Sequence, residues 1–500
     1  MRQSLKLLRK FAVFCHRWMG VTFCLLFLWW FVSGIFMMYW RMPNVEDADR
    51  LFRAQPLDIS RIRISPEKAA EIVGAHSAPT HLTLSMFDGR PVYVFDFGAG
   101  KSMVNAGDGS DVEAFTPELN LRTAAAWTGQ PPSAATVETL QEPDQWTVNN
   151  FGNIAPVTKY SWPNGEQVYV SEGTGEVVQY TTTASRIGGY LGPVAHWLYF
   201  TPLRRNGELW SRIVIWTSGI GTIMSILGLI VGLSFYSPTQ RYRHQGAPST
   251  VPYTGQRRLH MILGLFFGLL TCTWAFSGML SMEPFPSWSG RAPRRGGART
   301  NIVQALRGED AGVAAFAKLP LSDALSRMER SFAIKEVELA TLVGEPVYIV
   351  RNGSAARVVP VHGPIQSDVL QARVVTAVRD AVSPARLDHV QLLTEYDAYY
   401  LDRNKQKPLP VLRFELADEG RSRYYVDPAT AELVGTYNSR GWVTRWLYHA
   451  LHSIDLPWLY RYRPAWDIVV LVLMLGGTAL CVTSVIIAWQ YLGGKFSRRA

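Results

Sequence analysis

Apolar and polar positions divide the chain sharply. Four stretches are almost continuously hydrophobic, roughly Trp18 to Trp40, Ile213 to Tyr236, Leu259 to Met282 and Trp466 to Trp489. Each is close to the ~20 residues that cross a hydrocarbon core. Trp40, Trp210, Tyr236, Trp466 and Trp489 cluster at their ends as an interfacial aromatic belt. The pattern predicts four transmembrane helices. Between them the period shortens. ISPEKAAEIVGAH, from Ile64 to His76, predicts a helix with Ser65 as N-cap and Pro66 in the first turn. PVYVFDFG, from Pro91, alternates as a strand does, and NAGDGSDV supplies a turn. The same hairpin grammar recurs in QVYVSEGTGEVVQY, EPVYIVRNGSAARVVPV and RYYVDPATAELVGTY. The expected fold is an integral membrane, α-helical protein carrying small α+β modules, four in all.

Charge orients this arrangement. Arg2, Lys6, Arg9 and Lys10 precede the first apolar run, which is too long for a signal peptide and is followed by RMPN without a cleavage pattern. Arg241, Arg243, Arg257 and Arg258 lie between the second and third runs, and Lys495, Arg498 and Arg499 close the chain. The positive-inside rule then predicts both termini in the cytoplasm of a bacterial inner membrane, with Arg41 to Arg212 and Glu283 to Ala465 in the periplasm. GRAPRRGGART, just beyond the third run, opposes this, although long translocated segments are little constrained by charge. The expected divisions are 1–40, a cytoplasmic start and first span; 41–185, a first exported region; and 186–236, an interfacial helix and second span. A cytoplasmic loop at 237–258, the third span at 259–282 and a second exported region at 283–440 follow. An interfacial helix with the fourth span at 441–490 and a tail at 491–500 complete the chain. The net charge of +10 is mostly topological and implies no nucleic acid. Cys15, Cys24, Cys272 and Cys481 all lie in or beside the apolar runs, so no disulfide is expected outside them, and no CxxCH exists for covalent haem.

The chain is internally duplicated. HRWMGVTFCLLFLWWFVSG matches HMILGLFFGLLTCTWAFSG at constant offset, pairing His16 with His260, Trp30 with Trp274, Ser33 with Ser277 and Gly34 with Gly278. A second offset pairs Tyr169 with Tyr425, His196 with His452, Arg205 with Arg461, Trp210 with Trp466 and Gly221 with Gly477. Two tandem copies of helix, exported region, helix imply a pseudo-twofold axis along the membrane normal. GLIVG and GLFFG, at Gly228 and Gly264, would let the second and third helices approach closely.

Of ten histidines, His76, His81, His244, His362 and His389 fall in polar segments and are most simply solvated or locally bonded. His16 and His260 open the first and third helices; His196 and His452, with His449 a turn earlier, precede the second and fourth. Each could satisfy a carbonyl or sit among headgroups, but ionisable groups at membrane depth are costly and mark sites. Related by symmetry, each pair can converge on one flat ligand. Two neutral imidazoles facing across a macrocycle would saturate haem iron, giving two electron-transfer centres. Zinc would want further ligands, and no cysteine or carboxylate is placed for that. The repeat favours His452 over His449, which is left as an alternative outer ligand or a neighbour of it. Arg17, Arg204, Arg205, Arg445, Arg461 and Arg463 fit lipid phosphates, with haem propionates or an anionic substrate as the functional alternative.

Three segments, HRWMG, LHSIDLPWLYRYRPAWD and VSEGTGEVV, resemble the PepSY-associated transmembrane proteins, which include inner-membrane ferric-siderophore reductases of Gram-negative bacteria. The later VDPATAELV departs from the module pattern by carrying Ala431 in place of a turn glycine. The resemblance implies two haem b groups held by His16, His260, His196 and His452, periplasmic PepSY modules, and reduction of a ferric siderophore or other ferric chelate. Reduction releases the metal, because hard oxygen donors bind ferrous iron less well. No G-x-G-x-x-G lies between strand and helix, so the electron donor is expected to be external, a soluble reductase or a membrane quinol. Two other readings compete: membrane-anchored PepSY binding or inhibitory modules without redox activity, and a siderophore or metal transporter.

Overall fold

The computed structural model describes residues 2–496 apart from 75–78, 99, 113–114, 286–296, 310–311, 327, 329–331, 354, 365 and 404. His76, Arg498, Arg499 and most of GRAPRRGGART lie outside the described residues. Four long helices, Arg2–Met37, Gly207–Phe235, Gly255–Leu280 and Arg463–Phe496, correspond to the four apolar runs. Each is long and apolar enough to cross a membrane. The first begins at Arg2 rather than Trp18, so the basic start is its opening turns. His16 therefore lies about four turns inside that helix instead of opening it. Asn206 caps the second, its side chain accepting from the Leu209 amide.

The helices close a ring in which first packs on second, second on third, third on fourth and fourth on first. Lipid replaces water outside this ring, so its outward face is apolar: Trp216 is 68% and Phe266 77% exposed. The glycine pairs divide their work. A methyl group on Gly232 would lie 3.3 Å from Leu265, and one on Gly268 3.0 Å from Leu229, so these two bring the second and third helices together. Gly228 and Gly264 are turned to other neighbours. Inside the ring, Phe27, Phe31, Met224, Trp274, Ala275 and Cys481 form one buried cluster. Gly221 accommodates the Phe27 ring and Gly477 that of Phe31, each at a distance no side chain would permit.

Both long inter-helix segments emerge at the same end of the bundle, as three antiparallel sheets. The first segment supplies β1 His81–Phe87, β2 Arg90–Asp96, β3 Lys101–Asn105, β4 Thr136–Leu140, β5 Val157–Ser161, β6 Gln167–Ser171 and β7 Val177–Thr181. A short hairpin, β8 Tyr242–His244 and β9 Ala247–Ser249, lies in the connection at the other end. The second segment supplies β10 Glu336–Leu342, β11 Glu345–Arg351, β12 Ala356–Pro360, β13 Leu387–Leu393, β14 Val411–Leu416, β15 Arg423–Val426 and β16 Leu433–Tyr437. Strands β4 to β7 and β13 to β16 form separate four-stranded sheets, but the remaining modules are not separate. β1 pairs with β10, so six strands run β12-β11-β10-β1-β2-β3. The ladder sets Leu82 opposite Leu339 and Leu84 opposite Val337, and all four are buried in one core with Tyr93, Phe95 and Tyr348. Each three-stranded half would otherwise expose a β-strand edge, and joining them removes both. Pro66–Val73 is the expected helix, with the Ser65 hydroxyl accepting from Lys68.

Candidate functional site

Two pairs of imidazoles face each other within the bundle. His16 and His260 lie with ring centroids 6.3 Å apart and planes inclined at 34°. His196 and His452, toward the sheets, lie 6.0 Å apart at 68°. The latter two ride on matched pieces of chain. A widened helical turn, Tyr190–Val194 or Val443–Ala450, runs into a single helical turn, Ala195–Trp197 or Leu451–Ser453. Both turns stop at a left-handed residue, Leu198 with φ 55° and Ile454 with φ 50°. A leucine, and still more a β-branched isoleucine, at such a φ is strained and persists only where packing enforces it. Here the enforcing contacts are equivalent: the indole of Trp210 donates to the Trp197 carbonyl, and that of Trp466 to the Ser453 carbonyl.

In every one of the four rings Nδ1 is engaged by the protein. His16 Nδ1 donates to the Met224 carbonyl at 3.0 Å. His196 Nδ1 meets the Trp30 carbonyl and the Ser33 hydroxyl, both at 3.1 Å. His452 Nδ1 meets the Ser277 hydroxyl at 3.0 Å, and His260 Nδ1 meets Thr483 at 3.1 Å and Ser484 at 3.3 Å. The hydroxyls of Ser33, Ser277, Thr483 and Ser484 each donate to a carbonyl of their own helix, so they accept from the ring. The proton therefore belongs on Nδ1 in all four, and the Nε2 lone pairs have no hydrogen-bond partner among the described residues. A histidine that binds a metal is commonly tied in the same way, one ring nitrogen bonded to the protein and the other left basic. Burial, and for His452 also the opposed ring, hold His196 down to about 4 and His452 down to about 3.

Glycine clears the space for one of these rings: a Cβ on Gly228 would stand 2.6 Å from His16 Cε1, whereas one on Gly34 or Gly278 would be in ordinary contact with His196 or His452 at 3.5 and 3.6 Å. Two metal–imidazole bonds of about 2 Å, ring radii included, span about 6 Å, which matches the centroid separation in both pairs. Among the described residues no group of three or more histidine, cysteine or carboxylate side chains could hold a metal ion. The donor set thus fits a macrocycle that supplies the remaining ligands better than a bare ion.

A cavity of about 540 Å³ adjoins His196 and His452, walled by Trp30, Trp197, Trp210, Trp274 and Trp466. His449 does not line it. Its ring lies tilted against Tyr448, with centroids 4.6 Å apart, and Asp455 and Arg445 are its charged neighbours. The arginines singled out in the sequence are committed elsewhere. Arg445 pairs with Asp455 at 2.7 Å, Arg205 with Glu142 at 2.7 Å, Arg463 with Asp467 at 2.9 Å, and Arg461 with Glu395. Arg204 bonds Asn149 and stacks on Trp210, and Arg17 stacks on Tyr491. The cation that does line the cavity is Arg403, 4.5 Å over the Trp466 ring and bonded to the Met38 carbonyl. It sits in a loop with no periodicity, so nothing in the sequence marked it. Ser33 and Ser277 carried a signal in falling at the same constant offset that pairs His16 with His260.

The family profile described as PepSY-associated TM region matches residues 14–290. The chain belongs to that family. The match takes in His16, Ser33, His196, Gly228 and His260, which is to say the first half of both ring pairs and the third helix of this PepSY-associated membrane protein. No curated protein matches the chain.

Proposed function

We propose that this protein carries electrons across the bacterial inner membrane through two haem b groups and reduces a ferric chelate, such as a ferric siderophore, on the periplasmic side. The observation that carries the reading is the pair of imidazoles at each end of the bundle, their ring centroids about 6 Å apart, every Nδ1 bonded to the protein and no Nε2 hydrogen-bonded among the described residues. Haem b, when bound, would supply a one-electron couple. The chain's own contribution is positional. His16 with His260, and His196 with His452, hold the two centres at different depths. The hydroxyls and carbonyls on Nδ1 fix each ring and raise its basicity. Between the pairs, Phe27, Phe31 and Trp274 fill the interior and exclude water.

In this reading the sheets are periplasmic, both termini and the β8–β9 hairpin are cytoplasmic, and the chain is two tandem copies of one unit. The repeated bonding of Trp210 with Trp466, and of Ser33 with Ser277, supports the duplication. Electrons come from an external donor. A membrane quinol would give two electrons and two protons and convert two ferric chelates to ferrous; a soluble reductase would serve on the same side. The test is the visible spectrum of detergent-purified protein from haem-replete cells. A b-type spectrum that sharpens on dithionite and reoxidises with ferric chelate is expected; a colourless preparation would reject the proposal.

A further inference from the structure

We infer that the ferric chelate is received in a second cavity, of about 1170 Å³, on the sheet side of the bundle, and that the chelate it takes is bulky and of near-zero net charge. This rests on the reductase reading and locates its acceptor. The two cavities share a wall: Met37, Trp197 and Tyr199 line both. Trp197 and Tyr199 contact each other edge to face at 5.1 Å, and Tyr199 touches Trp210 at 5.0 Å. One layer of side chains therefore separates the gap at His196 and His452 from the second space. Electron transfer weakens steeply with distance, so an acceptor there is as near as it can come without entering the bundle.

The size suits a large ligand, since pockets for drug-sized molecules run about 300–1,000 Å³. Its lining is chemically mixed. Arg41 and Lys405 are offset by Glu46 and Asp49, and Asp49 caps the Glu46 amide. Asn44, Asn150 and Gln406 add amide groups, and Trp40 and Trp146 add indole faces. Balanced charge with amides and aromatic walls favours an uncharged, amide-rich shell around the metal over a trianionic one, for which Arg41 and Lys405 leave no net counter-charge beside Glu46 and Asp49.

The two halves of the chain differ at this place. Pro193, Trp197 and Tyr199, which line the second cavity, become His449, Ser453 and Asp455 at positions 256 later, and Gly189, packed against Trp146, becomes Arg445. Arg445 and Asp455 pair there at 2.7 Å with side chains 9% and 15% exposed, and Arg445 also bonds the Ala398 carbonyl. A buried ion pair stands in one half where the other has an aromatic wall of the cavity. The acceptor site is thus single, although the ligand rings are duplicated.

The experiment titrates full-length, detergent-purified protein with the gallium(III) complex of an uncharged tris-hydroxamate, which matches the ferric complex in charge and shape and cannot be reduced, and reads tryptophan fluorescence. Saturable quenching is expected, at least about tenfold weaker in Ala48→Trp, which builds a clash into the cavity from an exposed helix position, with the haem spectrum unchanged. The trianionic gallium tris-catecholate should bind at least about tenfold more weakly than the hydroxamate. Equal binding of the two complexes, unchanged affinity in Ala48→Trp, or displacement of the signal by anionic lipid alone would each overturn the inference. Protein that lacks haem yet binds gallium hydroxamate would reject the reductase reading and keep the cavity. Protein that reduces the chelate with the same KM in Ala48→Trp would keep the reading and reject the cavity.

Discussion

His196 and His452 face each other 6.0 Å apart, and each rests its Nδ1 on a serine of a different helix, Ser33 and Ser277. The pair is therefore built from all sides of the bundle rather than from one segment. Replacing His196 or His452 by alanine is expected to remove about half of the bound haem and to abolish reduction of ferric chelate, because each lost axial bond opens one iron. His449→Ala should keep full haem content. Pyridine haemochrome assay of the three variants decides this; loss of haem in His449→Ala alone would move the ligand.

The serines should act through the rings. Ser33→Ala and Ser277→Ala are each expected to weaken haem retention by about 10–100-fold, as loss of an outer-shell partner does. Competition of the purified variants against an apo-haem scavenger measures it. The double variant should lose more than either single one, and threonine at either position should restore retention.

Gly228 distinguishes the two ends of the bundle. Its Cβ would stand 2.6 Å from the His16 ring, whereas the position 256 later is Ser484, whose hydroxyl meets His260. Gly228→Val should expel the haem held by His16 and His260 and leave the other. A single remaining b-type centre, still reduced by dithionite but no longer by a cytoplasmic-side donor, is the expected outcome.

In the extramembrane part, Arg351 gathers Glu338 at 2.6 Å, Glu432 at 2.9 Å and Glu336 at 3.3 Å. Burial raises Glu336 above the ordinary carboxylate range, so its protonated form favours the folded state, whereas Glu432 is 52% exposed and screened by water. The Glu336 contribution is present below the ordinary value and lost as pH rises through the raised one. Arg351→Met should destabilise the six-stranded sheet by about 1–3 kcal/mol at pH 7, since it strands the partly buried Glu336 and Glu338. Hydrogen exchange of the β10 and β11 amides should show protection falling at pH 7 and recovering toward pH 5.

The spans, strand β2 and the hairpins β6–β7, β11–β12 and β15–β16 were legible because their periods are local, whereas β3 was missed and the turn at NAGDGSDV follows it; HRWMG already pointed to the PepSY-associated family. The β1–β10 pairing was not. HLTLSMF and EVELATL are separated by about half of the chain, and nothing in either names its partner. The four facing histidines were legible through duplication alone. Their supporting hydroxyls read as ordinary polar residues in apolar helices, and Arg403 and the second cavity arise where loops from both halves meet, which leaves no periodic trace.

The central sheet has a consequence for how the chain can be divided. Two halves, each with two helices, are joined in covalent terms only through the short β8–β9 hairpin, whose turn at Gln245 and Gly246 is left-handed and narrow. Elsewhere they are held by the β1–β10 ladder and by helix faces that meet as separate surfaces. A chain cut at that turn should assemble from two co-expressed polypeptides, each bringing one imidazole to each gap, so that neither half alone could retain either centre.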